Sequence, residues 1–201
     1  MLMSSVHPRT KKHVGDRLAA GAWRQAYGKT KDPGVGPVIS GCEVHGDKIV
    51  LLFNTTLLAS DAVLFKGYNK TNNASATQVL FEPFPRAFAE GNADKGPKVY
   101  DYPPWQTADI TAGADNRSIV VDLSAFGPGA GAKVTGVRYA RWAKVSHPLC
   151  CGNVDFGLTP CPPDSCPISG DKSGLPAMPF EAEVVQPMGK CKCVAPQVCD
   201  E

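Results

Sequence analysis

The sequence predicts a mainly β protein, an antiparallel sandwich-like domain preceded by a single helix. Three observations carry the prediction. Between Val38 and Ala140, short alternating or β-branched runs recur, each bounded by Gly, Pro, Asn or Asp. The 20 glycines and 18 prolines among 201 residues supply many turns and leave little room for long helices. The one extended stretch with helical period lies at the front, over residues 8–27.

In that stretch Val14, Leu18, Ala22 and Ala26 recur every four residues, and Trp23 and Tyr27 widen the apolar stripe. Pro8 suits a first helical turn, where its missing donor costs nothing, and Gly28 is placed to cap the end. Asp32-Pro33-Gly34 and Gly36-Pro37 then mark a linker, with the boundary between Lys29 and Pro37. The expected strands are 38–44, 48–54, 62–65, 77–81, 107–110, 118–122 and 134–140. Gly46-Asp47 between the first two fits a hairpin turn. The stretches 69–76, 82–104 and 124–132 are polar or proline-rich and read as surface loops. Short antiparallel strands of this kind pack as two layers.

In Val134–Ala140, Val137 and Tyr139 share one face and Arg138 takes the other, the alternation of a half-buried strand. A loop follows that carries Cys150, Cys151, Cys161 and Cys166 together with Pro148, Pro162, Pro163 and Pro167. It leaves through Gly174-Leu175-Pro176-Ala177-Met178-Pro179-Phe180, where the prolines favour an extended chain anchored by Leu175, Met178 and Phe180. Cys191, Cys193 and Cys199 sit in a tail with little apolar content, either tied by cystines or loose. The chain therefore divides into 1–31, 36–185 and 186–201.

A net charge of +2 with scattered Lys and Arg gives no electrostatic reason to expect nucleic acid. The longest wholly apolar run, Ile49–Phe53, is far short of the roughly 20 residues of a spanning helix, so no membrane partner is expected. Met1–Val6 is shorter than a signal-peptide core. Eight cysteines and four Asn-x-Ser/Thr sequons, at Asn54, Asn69, Asn73 and Asn116, nevertheless have a secretory character. The expectation is a piece of a longer secretory protein.

Two blocks resemble a known family. His7-Pro8-Arg9, Val14-Gly15, Arg17-Leu18, Ala20-Gly21-Ala22 and Ala26-Tyr27-Gly28 resemble the segment that closes the esterase domain of the sialate O-acetylesterases. Val137-Arg138-Tyr139-Ala140, Cys166-Pro167-Ile168 and Gly174–Phe180 resemble the C-terminal end of the same family, in the same order. The resemblance implies that residues 1–31 hold the last helix of an SGNH-type α/β hydrolase domain, with the β domain after it. It implies that His7 is the catalytic general base, since the family's base stands before this proline. Without the family, His7 reads more readily as an exposed histidine near a helix start.

The implied reaction is removal of O-acetyl groups from sialic acids or related sugars through an acyl-serine. It needs no cofactor and occurs in secreted or lysosomal proteins. Serine catalysis also requires a nucleophile, an acid that orients the base, and oxyanion donors. In the family these lie upstream of the histidine. Residues 1–6 contain no Asp or Glu and no Gly-x-Ser turn, so the chain alone is expected to be inactive. One departure stands out. Arg141 separates Ala140 from Trp142 where the family has Arg-Tyr-Ala-Trp, an insertion expected to bulge the strand or turn the Trp to its other face.

Other chemistry is weaker. Cys191, Cys193 and Cys199, or Cys161 and Cys166 with His147, lack the paired spacing of common zinc sites, so cystines are favoured and no metal is expected. The adjacent Cys150 and Cys151 need separate partners, with Cys161 and Cys166 near at hand, and the connectivity stays open. Trp105, Trp142, Tyr100 and Tyr102 allow either sugar stacking in an independent glycan-binding module or ordinary packing, as in an extracellular scaffold. Asp101, Asp109, Asp115 and Asp122 define no acid–base pair by spacing.

Overall fold

A computed structural model describes residues 12–28, 36–55, 62–67, 75–81, 105–140 and 166–193. One helix, α1 (Lys12–Tyr27), precedes eleven strands among these residues. They are β1 (Ile39–His45), β2 (Lys48–Phe53), β3 (Val63–Phe65), β4 (Thr77–Leu80), β5 (Gln106–Thr107) and β6 (Asp109–Ala112). After these come β7 (Ser118–Asp122), β8 (Gly136–Tyr139), β9 (Ile168–Gly170), β10 (Phe180–Val185) and β11 (Lys190–Cys193). Short 3-10 turns at Ser124–Phe126 and Ala130–Ala132 link β7 to β8.

Nine strands form one antiparallel sheet in the order β5-β4-β8-β10-β11-β1-β2-β7-β6. Its two end strands, β5 and β6, are separated in sequence by Ala108 alone. One run of chain thus pairs with β4 through its first part and with β7 through its second, wrapping the sheet around a common interior. The expected β sandwich is what forms. Both halves feed one core, with Ile39, Ile49, Leu51, Ile119 and Val121 from one side and Val79, Val137, Tyr139, Phe180 and Ala182 from the other. Tyr139 and Phe180 are opposite each other across β8 and β10, with ring centroids 6.1 Å apart.

The β1–β2 hairpin follows the sequence prediction. His45 is registered with Lys48 across Gly46-Asp47, and Gly46 takes φ +58°, a left-handed conformation that glycine adopts without strain. Alternation is equally clear in β2, where Ile49, Leu51 and Phe53 are buried and Val50 and Leu52 half-buried. Three strands lie beyond those expected. β9 pairs with β3 in a separate two-stranded sheet, and the 174–180 exit bridges back to it at Ser169–Pro176. β10 begins at the expected anchor Phe180, which is fully buried, while Leu175 and Met178 are half-buried. β11 carries the sheet past Val185, through Cys193, within the segment read as a tail.

The linker is fixed where it enters the domain. A Cβ on Gly36 would overlap the Pro176 carbonyl, and Met178 N donates to Pro37 O at 2.9 Å. The helix differs in character. Gly28 ends α1 at φ +62° as expected, and three residues of its apolar stripe lie in solvent: Leu18 is 70% exposed, Trp23 55% and Tyr27 74%.

Candidate functional site

His7 lies outside the described residues, as do Tyr100, Asp101, Tyr102, Trp142, His147, Cys150, Cys151, Cys161 and Cys199. What the structure does bring together is a polar row on the face of the sheet turned away from the core. Gln78, Arg138 and Glu181 are registered side by side across β4, β8 and β10. Arg138 Nε and Nη2 donate to Gln78 Oε1 at 2.8 and 2.6 Å, and Nη1 stands 4.0 Å from Glu181 Oε2. The Trp105 ring, just ahead of β5, lies over the guanidinium with 4.2 Å from its carbon to the ring centroid.

Alternation correctly puts Arg138 on the face opposite Val137 and Tyr139, but it is only 2% exposed, not solvated as a half-buried strand implies. A buried guanidinium requires partners for its donors, and the planar group finds them in Gln78, Glu181 and the indole face. Sequence reasoning does not find this site. The signal is the matching register of Gln78 and Arg138 on neighbouring strands, which requires the strand order to be known. One face of Trp105 is taken by Arg138, which favours packing over a sugar platform on that face. The row is a fixed positioning element: it holds Trp105 at the entry to β5 and presents neither a nucleophile nor an acid–base pair.

The strand ends beside it are constrained. Ala76 and Ala140 both have positive φ, +57° and +48°, and Ala140 N donates to Ala76 O at 2.8 Å. The left-handed region costs alanine roughly 1–2 kcal/mol. β8 stops at Tyr139, just ahead of this turn in the backbone; Arg141 and Trp142, where a bulge or a change of face is expected, lie outside the described residues.

Three of the described carboxylates, Asp122, Asp115 and Asp47, are occupied by local donors. Asp109 and Asp122 are opposite each other across β6 and β7, a juxtaposition that spacing alone does not select. Asp122 Oδ1 accepts from Ser124 N at 2.9 Å, and this bond, helped by the Ser124 side chain and Lys48, holds its carboxyl below the usual range despite burial and Asp109. Asp115 is lowered chiefly by the Ser118 hydroxyl, which donates to Oδ1 at 2.6 Å, then by Arg117 N at 2.9 Å. Asp47 accepts from Gly129 N at 3.4 Å and Gly131 N at 3.1 Å, fastening the β1–β2 turn to the second 3-10 turn. Cys191 forms a disulfide with Cys42, 149 residues away, so its sulfur is committed to a cystine.

No protein-family model matches the chain, and no curated protein sequence matches it. Among solved structures the fold is similar to that of a carbohydrate acetylesterase from Xanthomonas citri, with a TM-score of 0.51 and 20% identity. The match covers 88% of this chain and 29% of that one, so this chain spans less than a third of that structure's length. At this identity the likeness establishes the fold.

Proposed function

We propose that this chain is the C-terminal part of a carbohydrate O-acetylesterase related to the sialate O-acetylesterases, with its β sandwich packed beside an upstream esterase domain. The observation that carries the reading is the ordered pair of motifs, His7–Gly28 ahead of the sandwich and Val137–Phe180 within it, in a chain whose fold is similar to part of a carbohydrate acetylesterase. The solvent-facing Leu18, Trp23 and Tyr27 of α1 support it, because a helix with that apolar stripe is built to be covered.

In the complete site His7 takes the proton of an upstream serine as its oxygen attacks the acetyl carbonyl. The imidazolium then returns that proton to the departing sugar oxygen, leaving an acetyl-serine that water hydrolyses. A near-neutral imidazole suits both transfers. The substrate class is an O-acetylated sialic acid or related sugar.

The test is hydrolysis of an aryl acetate and of O-acetylated sialic acid. The 201-residue chain is expected to give background rates, and a chain extended upstream through a Gly-x-Ser region to turn over. His7→Ala should return the extended chain to near background. Turnover by the isolated chain that His7→Ala abolishes would overturn the proposal. So would saturable binding of acetylated sugars by the isolated chain, the behaviour of an independent glycan-binding module.

A further inference from the structure

We infer that Asn116 is an N-glycosylation site, an inference that does not rest on the esterase reading. Seven asparagines occur in the chain, and four stand two residues ahead of Ser or Thr. With 21 Ser and Thr in 201 residues, chance places fewer than one asparagine in such a sequon. The sequons are therefore enriched as a class, and the structure separates the two whose asparagines it describes.

Asn116 lies in the tight turn between β6 and β7 and is exposed. Its φ of +53° is one that asparagine tolerates better than most residues. The turn is held by its backbone: Gly113 N donates to Ser118 O at 2.9 Å, and Val63 N donates to Asn116 O at 2.9 Å. These bonds leave the Asn116 side-chain amide at the surface, where a bulky glycan displaces no packed group. Asn54 contrasts with it. It is half-buried at the end of β2, its N–H donates to Val38 O at 2.8 Å, and it follows the buried Phe53. Ser118 is buried and bonded to Asp115 in the folded chain, which does not conflict with modification of the chain before it folds.

The donor is an oligosaccharide linked to a polyprenyl pyrophosphate. The Asn116 amide nitrogen attacks the anomeric carbon; the C–N bond forms, the sugar–phosphate C–O bond breaks, one amide proton is released and the lipid pyrophosphate leaves. No electron transfer is involved.

The experiment directs the full chain into a eukaryotic secretory pathway and treats cell-associated and secreted protein with peptide N-glycosidase in heavy-oxygen water. Peptide mass spectrometry should show Asn116 converted to labelled Asp, and in the secreted, folded protein Asn54 largely unconverted. Asn116→Asp, which keeps a residue tolerant of positive φ, should lose the mass of one glycan. Ser118→Thr, which keeps the sequon, should retain it. An unconverted Asn116 peptide in glycosidase-treated protein overturns the inference.

Discussion

The wrapped sheet is joined at two places by different means. At β5–β6 the chain itself makes the join. Ala108, 2% exposed, donates its N–H to Thr77 O at 3.1 Å, and its carbonyl accepts from the Ser75 hydroxyl. Both backbone polar groups of Ala108 are satisfied by one short segment, Ser75–Thr77, at the start of β4. At β1–β11 the strands come from opposite ends of the domain. Among the described residues one registered pair, Glu43–Lys190, joins them, with Val44 N donating to Gly189 O at 2.7 Å. The Cys42–Cys191 cystine, with its Cα atoms 4.9 Å apart, crosses that junction. A continuous strand needs only local hydrogen bonds to hold two edges. Segments far apart in sequence must overcome loop-closure entropy, and a covalent link reduces that cost.

The largest test of this contrast is Cys42→Ala with Cys191→Ala. Removing a cystine that closes so long a loop should lower stability by about 2–5 kcal/mol. Urea unfolding of the oxidised protein and the double variant measures the loss. Hydrogen exchange should rise most in β11 and the adjoining part of β1. A midpoint equal to that of the parent would mean that the hydrogen bonds alone hold this junction.

Ser75→Ala is the matching break at the other join and should be smaller. It removes a buried hydroxyl that serves the Ala108 carbonyl and the Thr77 N–H, at 3.2 Å for the latter, leaving buried groups without that partner. The expected cost is about 1–3 kcal/mol. Protection of the Ala108 amide should fall while that of β11 is unchanged. Equal loss of protection at both joins would show that the sheet opens as one unit and that the two are not independent.

The same contrast explains what is legible in the sequence. The β1–β2 hairpin is readable because its alternation and its Gly46-Asp47 turn lie within a few residues of each other. β7 is readable, as Ser118–Asp122, because glycine, aspartate and asparagine bound it. The run 107–110 reads as one strand, whereas the chain forms two, β5 and β6, that meet at Ala108, because local pattern cannot say that its two ends pair with different neighbours. β10, not among the expected strands, carries a local signal: Phe180, Ala182 and Val184 alternate with Glu181, Glu183 and Val185. β11 has little, because Lys190-Cys191-Lys192-Cys193 offers no strong apolar face and its placement depends on Cys42. For Arg138 the alternation gives the right face and the wrong environment, because its burial comes from Gln78 and Trp105 on neighbouring chain segments. His7, the one residue to which the family resemblance gives a catalytic role, lies outside the described residues.

The smallest effect concerns Asp115, in the hairpin turn that follows the continuous strand. Its carboxylate accepts from the Ser118 hydroxyl and the Arg117 amide, and its pKa is lowered in the folded protein. A lowered folded pKa means that the ionised form is bound more favourably in the native turn than in the unfolded chain. That contribution is fully present above the ordinary value of 3.8 and is lost as pH falls through the lower folded value. Asp115→Asn keeps an oxygen acceptor but has no charge to titrate. The stability difference between parent and variant should therefore be small and constant near pH 6, and should shrink toward about pH 2. The group is exposed, so screening keeps the effect modest and added salt should reduce it. Urea midpoints of both proteins across that range decide the matter. A difference that grows as the solution is acidified would place the favoured protonation state the other way round, with the neutral acid held in the turn.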